Sequence, residues 1–352
     1  MASTTGGADV IASYWGKAKA SQGRDVPFHA FACHCLDVIA VAECWLDMSS
    51  VLERSLCSGS ERRIARAWIL FFIGLHDIGK LDQRFQAKAP NAVKELAPER
   101  AEWTARAPSG FTHYDHGEMG YRWALVELHN YIAATSCDHG SLDTYWDAWR
   151  GWLEAVTGHH GVLPREVAPP STHTIPKWLR GVDQSARRQW VATLEDMCLR
   201  PAGQWLGDVP PPAPQLLAGF CSVVDWVGSN TEFFPYARQP ADLYQYREDR
   251  AANAKAALRA SGLVSRATGG GGMAALFPER RPRQIQTLVD IIPRGPGLTL
   301  VEAPTGSGKT EAALSYAAHL LAARQADSII FALPTQATAN AMLARLEAVA
   351  PR

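Results

Sequence analysis

Apolar side chains recur at spacings of three and four along residues 1 to about 260, interrupted by Gly, Pro and Ser/Thr clusters. That is the period of helices with one buried face. It predicts helices over Phe28–Leu46, Glu61–Lys80, Gly117–Ala133, Leu142–Thr157, Ser185–Met197 and Pro214–Val227, with the Pro-rich "GDVPPPAPQ" as a stop before the last. No convincing period-2 run interrupts this stretch, which therefore reads as an all-α domain. After "ATGGGGM" the pattern changes: four consecutive glycines, Gly269 to Gly272, cannot support an element interior and mark a linker or mobile loop. Beyond them "LTLVEAP", a helical "TEAALSYAAHLLAAR" and "SIIFALPT" read as strand, loop, helix, strand, a unit with parallel strands. The predicted fold class is mainly α: an all-α domain over 1–262, a Gly-rich linker over 263–276, and an α/β segment over 277–352. That last segment is incomplete, because two parallel strands cannot bury both faces of a sheet.

Composition narrows the functional classes. Lys plus Arg and Asp plus Glu are both 35 among 352 residues, so no global field draws the chain to nucleic acid or membrane, and any nucleic-acid contact must be a local groove. Seven scattered cysteines, several in apolar stretches, fit buried thiols in a reducing compartment better than a disulfide framework. Cys33-His34-Cys35 looks like a zinc motif, but no C-x-x-C pair accompanies it. The start, "MASTTGGADVIASYWGK", lacks a signal-peptide pattern, and the longest apolar run, Ala67 to Leu75, falls far short of the ~20 residues that span a bilayer. The expected location is the cytoplasm, with no membrane contact.

The chemistry concentrates around "FFIGLHDIGKLDQRF", residues 71 to 85, where an apolar run ends in His76, Asp77 and Lys80. On a continuous helix Lys80 returns to the face of His76, where its ammonium could hold a phosphate oxygen. A His-Asp dipeptide alone is weak, so partners decide. His34 in "FACHCLDVIAVA" shares a helical face with Val38 and Val41 and points inward; "TGHHG" places His159 and His160 at a helix end; "FTHYDHGEMG" offers His113 and His116. Asp225, in "FCSVVDWVGSN", is a carboxylate among apolar neighbours and needs a cation or donors there. Mixed N/O ligands of this kind suit first-row transition metals, and seven of them, with Asp77 bridging, suffice for two ions.

"HDIGK", with His34 upstream, "GHHG" downstream and a late "DWVGSN", resembles the HD phosphohydrolase superfamily, and most of all the HD nuclease domain of the CRISPR-associated helicase–nuclease of type I systems, over roughly residues 14 to 236. The resemblance implies that His34, His76, Asp77 and Asp225 hold one metal, and that Asp77, His116, His159 and His160 hold the other. It also implies that Lys80 assists at the phosphate. It favours His116, followed by Gly120, over His113, followed by Gly117. It implies two divalent ions (Fe, Mn, Co or Ni) that hydrolyse phosphodiesters of single-stranded DNA. Twelve tryptophans offer base-stacking candidates, Trp190 beside Arg187-Arg188 among them, although each reads more simply as core.

"VEAPTGSGKTEAAL" follows a predicted strand and opens a helix, the context in which backbone N–H groups cradle phosphates. Thr305, Gly306, Ser307, Gly308, Lys309 and Thr310 form the loop, with Lys309 reaching the phosphates and Thr310 the Mg²⁺. Ala303 stands where the general pattern has Gly, a form that resembles superfamily 2 helicases with RecA-like domains. In that likeness Gln284 of "RPRQIQ" reads adenine, and Pro334, Thr335 and Gln336 of "ALPTQATANAM" meet the nucleic-acid backbone. No D-E-x-H segment or second RecA-like domain follows, so the chain is expected to be an N-terminal fragment that cannot unwind DNA alone.

The leading expectation is a metal-dependent single-stranded DNA nuclease of CRISPR interference, joined in the intact protein to an ATP-driven helicase and recruited by the RNA-guided surveillance complex of Cascade type. An HD phosphohydrolase acting on nucleotides is the alternative enzyme. A catalytically silent module docking on the surveillance complex or an anti-CRISPR inhibitor is the alternative from another class.

Overall fold

The most apolar run of the chain becomes a helix with no exposed face at its C-terminal half: from Trp68 to Gly74 every residue is buried. The computed structural model describes residues 10–18, 26–107, 111, 113–135, 142–162, 164, 174–264, 271–295 and 297–349. The chain divides into two compact units, one of Met1–Trp45 with Arg54–Ala257, the other of Leu46–Glu53 with Leu258–Arg352.

In chain order the helices up to the end of the first unit are α1 (Phe31–Met48), α2 (Ser50–Leu56), α3 (Arg62–Gly74), α4 (Gln83–Gln86), α5 (Pro90–Leu96), α6 (Pro98–Ala105), α7 (His116–Thr135), α8 (Leu142–Thr157), α9 (Lys177–Leu194), α10 (Leu217–Gly228) and α11 (Leu243–Ala260). Helix α3 lies at the centre, its Phe72 ring stacked on Trp152 of α8 with centroids 4.8 Å apart. The Trp190 indole of α9 donates to the carbonyl of Gly74 at 2.8 Å and satisfies one of the orphan acceptors at the end of α3. The mainly α class predicted from periodicity is the one observed.

Two expectations change in the first unit. The helix predicted over Glu61–Lys80 stops at Gly74, and the chain continues in tight turns: the amides of Leu75, His76, Ile78 and Lys80 each bond the carbonyl three residues back, at 2.8–3.1 Å. Residues Ile78–Lys80 form a single 3₁₀ turn. His76 and Asp77 therefore sit in a turn between helices, and Lys80 does not share a helical face with His76 as expected. The second change is an antiparallel pair, β1 (Trp15–Ala18) and β2 (Phe28–Ala30), ahead of α1. Strands of four and three residues are too short to show a period of two, and a bulge between Trp15 and Lys17 breaks what alternation there is.

Helix α7 is set against the turn by the absence of a side chain. A Cβ at Gly79 would lie 2.0 Å from the carbonyl oxygen of His116 and 2.7 Å from the amide of Gly120, so the backbones of the turn and of α7 touch there. Tyr114, just before α7, donates its hydroxyl to the Gly79 carbonyl at 2.7 Å. The turn is held from below by a buried polar network: Gln83 donates through its amide to Asp183 at 2.6 Å, Tyr14 donates to the same oxygen at 2.6 Å, and Arg187 donates to the Leu81 carbonyl at 2.9 Å.

The second unit holds α12 (Met273–Leu276), α13 (Gln284–Thr287), α14 (Lys309–Ala322) and α15 (Gln336–Val349), around a small core of Met273, Phe277 and Leu314. Its described residues contain no strand, contrary to the two predicted in "LTLVEAP" and "SIIFALPT". Parallel strands exist only as hydrogen-bonded neighbours, and here Leu298 is 99% and Ile330 90% exposed, with no ladder beside either. Of the four glycines expected to mark a linker, Gly269 and Gly270 lie outside the described residues. Gly271 packs so closely on α14 that a Cβ would meet the Cα of His319 at 2.5 Å.

Replacing Gly79 by Ala drives a methyl into the α7 backbone and is expected to cost about 1–3 kcal/mol, lowering Tm by several degrees in thermal unfolding. Gly181→Ala, inside α9 with nothing near the added carbon, is the control and is expected to raise Tm slightly.

Candidate metal centre

Five segments deliver side chains to one buried point. Helix α1 presents His34, the turn after α3 presents His76, Asp77 and Lys80, the first residue of α7 is His116, the turn after α8 carries His159 and His160, and α10 carries Asp225. His34, His76 and Asp77 are fully or almost fully buried.

The geometry turns on Asp77, whose two carboxylate oxygens face different ways. Oδ2 lies 2.9 Å from His34 Nε2 and 3.3 Å from His76 Nε2, and Lys80 Nζ approaches it at 2.5 Å. Oδ1 lies 3.4 Å from His116 Nε2 and 4.0 Å from His159 Nε2. Asp225 joins the first group, its Oδ1 3.4 Å from His34 Nε2 and 3.8 Å from His76 Nε2. His160 joins the second, its Nε2 3.0 Å from that of His116. The two sets adjoin, the rings of His76 and His159 having centroids 5.1 Å apart. Within each set, His34, His76 and Asp77 or His116, His159 and His160, one ligand atom per residue lies within 4.8 Å of the others.

Two imidazoles are oriented by the turns that carry them. His76 Nδ1 donates to the Ile73 carbonyl and His159 Nδ1 to that of Val156, each at 2.7 Å. A proton fixed on Nδ1 leaves the Nε2 lone pair aimed at the centre, the arrangement typical of ligating histidines. Burial pushes His34 and His159 down to about 4 and His116 down to about 2. Burial also opposes a charge on His76, but the Asp77 carboxylate outweighs it and raises that group. Burial would lift Asp77, yet Lys80 and His76 hold it well below the ordinary carboxylate range, and Asp225 is held down likewise by His34 and Lys17.

The donor set fits a divalent metal. His34 Nε2, His76 Nε2 and Asp77 Oδ1 are buried without a hydrogen-bond partner, whereas Asp77 Oδ2 is met by the Lys80 ammonium. An orphaned buried polar atom costs about 1–3 kcal/mol, and three converging on one point call for a further cation among them. Mixed imidazole and carboxylate donors suit transition ions rather than calcium or magnesium.

His113 is exposed and stands apart from these groups, while His116 lies within one. Arg187 is buried on Glu127 at 3.0 Å and Trp190 is core, so neither offers itself to DNA. Lys17 escaped the sequence reading. Its Nζ lies 3.6 Å from Asp225 Oδ1 and bonds Ser229 Oγ, which in turn donates to Asp225 at 3.0 Å. Its only signal was a lysine after "YWG", far in sequence from Asp225.

In the second unit, Thr305, Gly306, Gly308, Lys309 and Thr310 line a cavity of about 730 Å³ together with Arg280, Gln286 and Arg345. Lys309 starts α14, and its ammonium bonds the carbonyls of Ala303 and Pro304. Ser307 is half-buried within the same loop. Gln284 is exposed, whereas Gln286 rests on the loop, donating to the Gly308 carbonyl at 3.3 Å. Pro334, Thr335 and Gln336 are exposed at the start of α15, where the Thr335 hydroxyl accepts from the Thr338 amide at 3.3 Å.

The family described as "Cas3, HD domain" matches residues 15–234, and "DEAD/DEAH box helicase" matches 281–351. The CRISPR-associated endonuclease/helicase Cas3 of Escherichia coli K12 is 43% identical over 97% of this chain, which spans 40% of that relative's length. A crystal structure of a CRISPR-associated protein superposes with a TM-score of 0.71 at 29% identity, covering 97% of this chain and 38% of that one. A chain of a CRISPR RNA-guided surveillance complex, captured pre-nicking, superposes with a TM-score of 0.61 at 25% identity, covering 95% of this chain and 38% of that one.

A metal ion that satisfies these orphaned atoms stabilises the fold by linkage, about 2.7 kcal/mol at a hundredfold excess over Kd. Adding Mn²⁺, Co²⁺ or Ni²⁺ to metal-stripped protein is expected to raise Tm by several degrees in scanning calorimetry, and the rise is expected to vanish in His76→Ala.

Proposed function

The chain belongs to the Cas3 HD-domain family, and on that premise we propose that its first unit is a metal-dependent nuclease that cuts single-stranded DNA in CRISPR interference. One observation carries the reading: the two oxygens of a single buried carboxylate, Asp77, are turned to two separate sets of ligands. His34, His76, Asp77 and Asp225 would hold one divalent ion, and Asp77, His116, His159 and His160 the other, drawn from Fe, Mn, Co or Ni. Such ions, when bound, make water nucleophilic at neutral pH and stabilise the leaving oxygen of a phosphodiester.

The chain's own groups do the rest. Asp77 joins the two halves of the centre and stays ionised, because Lys80 lies against it. With a phosphodiester present, the Lys80 ammonium holds a non-bridging oxygen, which gives it a role at the substrate as well as at the carboxylate. His76 and His159 cannot rotate away while their Nδ1 protons are held by the carbonyls of Ile73 and Val156. His34 and His76 themselves are shielded from bulk water, and the exposed His160 marks a side open to substrate.

The second unit, in this reading, binds ATP with Mg²⁺ through Thr305 to Thr310, with Gln284 at the adenine and Pro334, Thr335 and Gln336 at a nucleic-acid backbone. It supplies the first part of a helicase that feeds strand to the nuclease. The domain division 1–262, 263–276 and 277–352 belongs to the same proposal. An RNA-guided surveillance complex is the proposed recruiting partner, supported by the likeness to a chain within such a complex, and an anti-CRISPR inhibitor is a further proposed partner. No helix among the described residues is long and apolar enough to cross a membrane, which suits a cytoplasmic role.

Circular single-stranded DNA incubated with the chain and Mn²⁺, Co²⁺ or Ni²⁺ is expected to be degraded. Asp77→Ala, His76→Ala and His116→Ala are expected to reduce the rate by at least about a hundredfold, and His113→Ala to leave it unchanged. Turnover of free nucleotides with DNA left intact would contradict the nuclease assignment.

A further inference from the structure

Lys17 is built into the centre more elaborately than a surface lysine requires. It follows a bulge in β1, pairing with His29 of β2, and bulges of this kind re-aim side chains. The bulged residue is Gly16, where a Cβ would lie 3.1 Å from the Cα of Phe31 and 3.2 Å from the Cβ of His34. Strand β1 is thereby pressed onto the start of α1 beside a proposed ligand, and the next side chain is delivered to Asp225. Gln86, fully buried, fixes that strand: its Oε1 accepts from the Trp15 amide at 3.2 Å, and its Nε2 donates to the Trp15 carbonyl at 3.0 Å and to the Lys80 carbonyl at 2.9 Å. One side-chain amide therefore ties together the two backbone segments that carry Lys17 and Lys80.

We infer that Lys17 is a second phosphate-binding group of the centre: its ammonium grips a backbone phosphate of single-stranded nucleic acid at the Asp225 end, as Lys80 does at the Asp77 end. The inference rests on the nuclease reading for the identity of the strand. It deepens that reading by assigning a substrate contact.

Three observations separate this role from simple neutralisation of Asp225. The Lys17–Asp225 separation of 3.6 Å is longer than a charge-assisted hydrogen bond of about 2.7–2.9 Å, and Ser229 already donates to the same oxygen at 3.0 Å. An ammonium has three donors, and among the described residues the polar partners of Lys17 are Ser229 and Asp225. The Lys17 side chain keeps 24% of its surface accessible, against 8% for Lys80, so a strand can reach it.

The test compares Lys17→Met and Lys17→Arg with the unaltered chain in three measurements: the KM and kcat for cutting, bound metal by elemental analysis, and the Kd for a phosphorothioate single-stranded oligonucleotide, which resists cutting. Lys17→Met is expected to raise KM and Kd about tenfold or more, with metal content and Tm unchanged. It should also flatten the dependence of log Kd on log salt by about 0.7. Lys17→Arg, which keeps the charge, is expected to recover most of the affinity. Loss of metal or of stability in Lys17→Met would make Lys17 a support for Asp225 and overturn the proposal, as would an unchanged Kd. If the unaltered chain binds the oligonucleotide but cuts nothing, the nuclease reading fails while the Kd comparison still decides the role of Lys17.

Discussion

The structure depends on keeping one carboxylate charged where water does not reach. Asp77 is about 1% exposed, and an isolated ionised group in such a place would surrender its charge. It keeps it because the Lys80 ammonium and His76 lie against one oxygen and His34 bonds it. A buried ion cluster of this kind is weak as a source of stability. Its surplus of uncompensated acceptors and lone pairs makes sense as a seat for cations.

The helices are arranged around that demand. The side chains from five segments meet at helix ends and turns: in the first turn of α1, after Gly74, at the first residue of α7, after Thr157, and at Asp225 in the last turn of α10. Where a tighter approach is needed, side chains are given up, as at Gly79 against α7 and Gly16 against α1. Helix α3, which holds the apolar run Trp68–Gly74, is central because it anchors the turn that carries His76 and Asp77. Trp190 and the Asp183 network brace its two sides.

Much of this was legible in the sequence. The apolar spacing gave the helical class, and residue type with order along the chain gave His34, His76, Asp77, His116, His159, His160 and Asp225, which the fold brings to one point. Ligands must be His or Asp, so their identities survive in the sequence whatever the backbone does. The backbone itself was less legible. The turn after Gly74 is accompanied by a tertiary bond from Trp190 and by the His76 imidazole bonding the Ile73 carbonyl three residues back, neither of which apolar periodicity contains. Lys17 was missed for the same reason: its closeness to Asp225, 208 residues on in the numbering, exists only after β1 folds across α1. The strands read in the second unit found no ladder among the described residues, since strand propensity without neighbours leaves only extended chain.

On the proposed reading Asp77 would hold a divalent ion on each of its two carboxylate oxygens. Anomalous diffraction from crystals of this chain grown with Mn²⁺ tests it most directly. Two peaks about 3.5–4 Å apart are expected, one on each oxygen of Asp77, with His34, His76 and Asp225 around the first and His116, His159 and His160 around the second. A single peak, or two peaks that do not share Asp77, would contradict it.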